Sequence, residues 1–91
     1  MATTLFVPTP LRKLTAGQSR IQIQASNIGD LISNADAQFP GFRDRVLEPN
    51  GEIKRFINIF VNGTDIRQLD GQATAVKDGD EVSVVPAMAG G

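Results

Sequence analysis

Lys77-Asp78-Gly79-Asp80-Glu81-Val82-Ser83-Val84-Val85-Pro86-Ala87-Met88-Ala89-Gly90-Gly91 is the stretch on which the fold turns. Lys77 to Asp80 has the composition of a tight turn, with Gly79 supplying backbone angles closed to other residues. Val82 and Val84 then alternate with Glu81 and Ser83, the period of a strand with one face on a core. Pro86 cannot donate to a sheet ladder and stiffens the junction with the last five residues. Beyond it the residues become small, and the chain as given closes on two glycines. This divides the chain into a folded body over residues 1–86 and a flexible Gly-Gly tail over 87–91. A Gly-Gly end is often no more than a frayed terminus. It is also slim enough to thread a narrow slot and to offer its carboxylate unobstructed.

Outward from the last strand, Glu52 to Asn62 reads as the longest strand, with Ile57, Ile59 and Val61 on one face and Phe56, Asn58 and Phe60 on the other. Asn62-Gly63 suits the positive backbone angles of a hairpin, so Thr64 to Arg67 is expected to return as a short strand. Leu69 to Val76 is irregular. Upstream, Asn27 is placed as an N-cap with Asp30 three residues on. Ile28, Leu31, Ile32, Ala35 and Phe39 form the apolar stripe of a helix, ended by Pro40-Gly41. Phe42, Val46 and Leu47 suggest a second helical turn. At the start, Leu5-Phe6-Val7 is a strand, Thr9 to Gln18 a loop, and Ser19 to Ala25 an alternating strand completing an N-terminal hairpin. The order strand, strand, helix, strand, short strand, strand is that of an α+β layer pair.

Composition narrows the function. The net charge is −1 and the nine Lys and Arg residues are dispersed, whereas a nucleic-acid binder concentrates its basic face. No apolar run nears the ~20 residues of a membrane span, and Met1 to Thr4 lacks the basic start and apolar core of a secretory signal. There is no Cys and no His. Disulfides, zinc-type sites, thiol nucleophiles and imidazole bases are therefore absent from the chain. The serines at 19, 26, 33 and 83 lack a base at a suggestive spacing. A cytoplasmic, non-enzymatic protein is expected.

The element order, Asn27-Ile28-Gly29-Asp30-Leu31, Phe60-Val61-Asn62-Gly63, Asp78-Gly79-Asp80-Glu81-Val82 and the Gly90-Gly91 end together resemble the MoaD/ThiS family of ubiquitin-like sulfur carriers over nearly the whole chain. Within it, Arg55 to Asn62 and Pro86 to Gly91 look most like the CysO-type carriers, which serve cysteine synthesis. The resemblance implies a β-grasp fold, a mixed sheet of four to five strands on one main helix. It implies no bound cofactor or metal; ATP and magnesium belong to a partner adenylyltransferase/sulfurtransferase of the ubiquitin-activating type. That enzyme would adenylate the Gly91 carboxylate, and a sulfur source would displace AMP to leave a thiocarboxylate for an acceptor such as a cysteine synthase-like enzyme.

Under this reading Gly91 carries the sulfur, and Gly90, Ala89 and Met88 thread the partners' active sites, Met88 through its adaptable thioether. Phe60 and Phe56, on the strand face opposite the core, are candidate interface anchors, with Arg55 and Arg67 as possible support toward an acidic surface. Three other functions fit the residues: the small subunit of molybdopterin synthase, docked on a larger subunit; a ubiquitin-like modifier joined to lysines through Gly91; and a β-grasp binding module with an inert tail.

Overall fold

In the computed structural model, which describes residues 2–86, a five-stranded mixed sheet packs one face on helices. The strands are β1 (Thr3–Phe6), β2 (Arg20–Ile23), β3 (Ile57–Val61), β4 (Thr64–Asp65) and β5 (Glu81–Pro86), in the spatial order β2-β1-β5-β3-β4. The helices are α1 (Ile28–Gln38) and α2 (Phe42–Val46). β5 lies at the centre, parallel to β1 and antiparallel to β3. This is the β-grasp arrangement expected from the sequence, with five strands. The expected tail lies outside the described residues.

The inner face is the alternation read from the sequence. Leu5, Ile21, Ile23, Ile57, Ile59, Val61, Val82 and Val84 are buried, and Ile28, Leu31, Ile32 and Ala35 of α1 close over them. Asn27 caps α1 as expected: its Oδ1 accepts from the Asp30 amide at 2.8 Å, and Asp30 in turn accepts from the Ser26 hydroxyl at 2.6 Å. The Ile28 amide donates to the Thr74 carbonyl at 3.1 Å, so the segment after β4 pins the same end. Replacing Asn27 with Ala is expected to lower stability by about 1 kcal/mol, measured by denaturant unfolding, because an orphan amide loses its acceptor.

Four expectations change in detail. Thr9 to Thr15 is a 3-10 helix where a loop was expected. Pro8 is its extended N-cap and Pro10 presets a helical φ in its first turn, and Leu11 and Thr15 are buried, so the segment packs as a unit. The strand expected from Glu52 begins at Ile57. The chain before it folds into a tight clasp on α2, with Glu48 donating to the Glu52 carbonyl at 2.7 Å and Lys54 to the Val46 carbonyl at 2.9 Å. The return strand ends at Asp65, because the Asp65 carboxylate accepts the Arg67 amide at 2.8 Å and bends the chain so that Ile66 enters the core. Phe39 is the C-cap of α1 and only partly buried. The second helical turn is present as α2; the Asp36 carboxylate accepts from the Gly41 and Arg43 amides at its start, and Gly41 takes the φ of 100° that this reversal demands.

Candidate functional site

β5 carries the chain to Pro86, which pairs with Ile57 of β3. β5 is laddered to β1 from Glu81 to Ser83 and to β3 as far as Pro86, so its last three residues are held from the β3 side. Gly91, Gly90, Ala89 and Met88 lie outside the described residues, and the site is built from the side chains that surround Pro86.

The sheet face turned away from the helices forms the first part. The strand registers set Phe6 beside Ser83 and Ser83 beside Phe60, with Arg20 and Asp65 at the two ends of the same row. Phe6 and Phe60 are partly buried, and Val85 further along β5 is 43% exposed. The Arg20 guanidinium carbon lies 5.8 Å from the centroid of the Phe6 ring, a cation–π distance. Two aromatic rings flanking a small serine, with an aliphatic side chain toward the tail, make an apolar strip bounded by charge. The sequence reading singled out Phe60 and missed Phe6 and Val85. The alternation of Thr4 and Phe6 against Leu5 and Val7 was the signal.

Phe56 is placed differently from expectation. It sits in the turn before β3, not on the strand, and is 49% exposed. There it lines a groove with Pro86 at the foot of β5. Arg67 is held by its own neighbours: it donates to Asp65 at 2.8 Å and to the Asn58 side chain. This exposed pair raises the guanidinium pKa and lowers that of Asp65 through their mutual hydrogen bond. Arg55 makes no side-chain bond among the described residues. On the other side of β5, Arg12 donates through Nε to the Val7 carbonyl at 3.0 Å, fixing the 3-10 segment against the end of β1.

The start of β5 is secured by a polar cluster that the sequence reading did not anticipate. Asn62 adopts φ 51° and Gly63 φ 89°, the hairpin geometry Asn-Gly favours. The Asn62 side chain donates to Asp80 at 3.1 Å and accepts from the Glu81 amide at 3.0 Å, tying the β3–β4 turn to β5. Buried Asp80 also accepts from the Lys77 amide and ammonium at 3.0 and 3.1 Å. The Asn62 bond, ahead of those from Lys77, holds the Asp80 carboxyl below the usual carboxylate range against the opposing effect of burial. A folded-state pKa below the unfolded one stabilises the protein above the unfolded value, about 3.9, and that contribution is lost as pH falls through the folded value. The denaturant midpoint is therefore expected to fall on acidification below about pH 4 more steeply in the wild type than in Asp80→Asn.

Among the described residues no group of His, Cys, Asp and Glu is disposed to hold a metal ion, and no helix is long and apolar enough to cross a membrane.

Known proteins share this arrangement. The ThiS family model matches residues 5–91. Sulfur carrier protein CysO of Mycobacterium tuberculosis is 41% identical over 93 residues, covering 100% of both chains. Small archaeal modifier protein 3 of Haloferax volcanii is 42% identical over 66 residues, 72% of this chain and 71% of its own. A chain in the crystal structure of the Amycolatopsis orientalis BexX/CysO complex superposes with a TM-score of 0.92 at 33% identity, covering 99% of this chain and 100% of that one. With its sheet order, central last strand and full-length relatives in agreement, the chain belongs to the ThiS family.

Proposed function

We propose that this protein is a sulfur carrier that works through the carboxylate of Gly91. The observation that carries the reading is that the family match runs through residue 91 and so includes Gly90-Gly91. The central place of β5 supports it, since the last strand of the body is built into the middle of the sheet. An ionised carboxylate resists nucleophiles at neutral pH. An ATP-dependent adenylyltransferase would remove that resistance: a Gly91 oxygen attacks the α-phosphorus of ATP, pyrophosphate leaves, and an acyl-adenylate forms. Hydrosulfide then attacks the acyl carbon, AMP leaves with the electron pair of the broken C–O bond and the sulfur gives up its proton, leaving the thiocarboxylate. Gly90, Ala89 and Met88 pass through the enzyme's channel, while the ATP and magnesium are the enzyme's. We assign the sulfur to cysteine synthesis through a cysteine synthase-like acceptor, in keeping with the CysO relatives. Mass spectrometry of the protein produced with its cognate adenylyltransferase tests the chemistry. Exchange of one oxygen for sulfur at Gly91 is expected, and an unmodified terminus counts against it.

In this reading the strip of Phe6, Ser83, Phe60 and Val85 is the docking face for the activating enzyme, and the BexX/CysO complex of Amycolatopsis orientalis is in keeping with a protein partner. Phe60→Ala is expected to weaken that binding about thirtyfold, the effect of losing an aromatic anchor. Ser33→Ala, on the exposed side of α1, should leave it unchanged; calorimetry with the adenylyltransferase measures both. The relation to an archaeal modifier protein favours a second reading, in which Gly91 forms isopeptide bonds to lysines. A ladder of conjugates that vanishes when Gly91 is deleted would identify it.

A further inference from the structure

The nine Lys and Arg residues lie scattered along the chain, but the fold collects several of them at one end of the sheet. Where β5 reaches Pro86, Arg12 lines a cleft on one side of it with Phe6 and Val85, and Arg45 and Lys54 line a groove on the other. No carboxylate of the described residues lines either one; Asp44 and Glu52, near these cations in sequence, do not contribute. Where β5 starts, the signs reverse. Asp78, Asp80 and Glu81 accompany Lys77 there, and Lys77 pairs with Asp80 at 3.1 Å. The ion pairs among the described residues are that one and Arg67 with Asp65, so Arg45 and Lys54 face the groove without a partner.

The groove has a volume of about 200 Å³, with the buried side chains of Leu11 and Ile57 beneath it and Pro10, Phe56 and Pro86 around it. Phe56 is 49% exposed, an aromatic ring with one side unfilled. An open ring over an apolar floor, beside two unpaired cations, fits an apolar side chain that has carboxylates next to it. We propose that this groove is a docking site for an acidic segment of a partner protein, with a leucine-sized side chain entering between Leu11 and Phe56 and flanking carboxylates meeting Arg45 and Lys54. A cavity of ~150 Å³ holds a benzene molecule, so the space suffices. A nucleic acid has the charge but no aliphatic side chain for the floor, and one open ring is not a row of stacking platforms. Pro86 lines both this groove and the cleft it shares with Phe6 and Val85, so a partner seated on the strip meets the groove without a gap. Opposite charges at such a place speed encounter and lose their effect as salt rises. The site stands whether or not the chain ever carries sulfur.

NMR titration of the 91-residue chain with a capped pentapeptide, a leucine with two aspartates on each side, tests this without any enzyme. Shifts at Leu11, Phe56 and Ile57 are expected, with α1 and β2 left in place. Affinity should fall about tenfold between about 20 and about 200 mM salt. A peptide with serine for leucine should bind about tenfold more weakly. The double variant Arg45→Ser/Lys54→Ser should lose about fivefold, as expected for two partly exposed charge pairs. Lys13→Ser/Arg43→Ser removes two exposed cations that line no part of the groove, and it should change the affinity less than about twofold. The proposal is overturned if the peptide shifts nothing at about 10 mM, if a peptide with lysines for aspartates binds as well, or if the two double variants lose affinity alike. It is also overturned if a single-stranded thymidine oligonucleotide fills the groove at lower concentration than the peptide. Movement of the groove resonances on dilution of the protein alone would give the site to a second copy and overturn it as well.

Discussion

Adding one tryptophan after Gly91 is expected to reduce thiocarboxylate formation at least a thousandfold while leaving the melting temperature within about 2 °C of the wild type. The two readouts separate because they depend on different parts of the chain. The core and all five strands lie within residues 3–86, so an added residue beyond 91 removes no packing from them. The proposed chemistry, in contrast, would need the acyl carbon at one position against the enzyme's ATP, and proximity of that kind carries several kcal/mol of a barrier. Under that proposal a bulky residue moves the carboxylate one position along and adds a Cβ at a place where glycine has none. Single-turnover adenylation with the cognate enzyme, read by mass spectrometry, measures the first quantity, and calorimetry the second. An extended chain that is adenylated at the wild-type rate without being trimmed would remove the basis of the proposed function.

Phe42→Ala is expected to be the most damaging single substitution in the body, lowering stability by about 3–5 kcal/mol. Phe42 is 0% exposed and is the largest of the fully buried side chains. It belongs to a helix of five residues, too short to persist without its tertiary contacts. Truncation would leave a cavity and loosen α2 together. For a small domain with a total stability of about 5–10 kcal/mol, that corresponds to a fall in melting temperature on the order of 15–30 °C. Arg43→Ala, one residue on and solvent-exposed, should stay within about 0.5 kcal/mol of the wild type.

The regular elements were legible because each is specified by a local pattern. The Asn27 cap, the α1 stripe, the alternation in β3 and β5 and the Asn62-Gly63 turn each occur where the residues place them. The differences arise where side chains act on distant backbone. Asp65 folds back on Arg67 and ends β4; Glu52 is drawn into the clasp on α2 and never joins β3. Nor does a pattern within one strand show what its neighbours will be. Phe6 becomes part of a strip with Phe60 only because β5 inserts between β1 and β3 and sets Ser83 between the two rings. The tie from Asn62 to Asp80 spans 18 residues and depends on the same insertion. Of the strip on the outer face, the sequence identified one of the two rings; the row around it belongs to the topology.

The central place of β5 also orders biosynthesis. β1 is made first and β3 later, yet neither can complete its ladder until residues 81–86 have been synthesised. A nascent chain halted before Glu81 has two open strand edges and lacks the Val82 and Val84 side chains that fill the middle of the inner face. The sheet therefore closes only once the chain has been made through Pro86, and every strand pairing it contains is then in place.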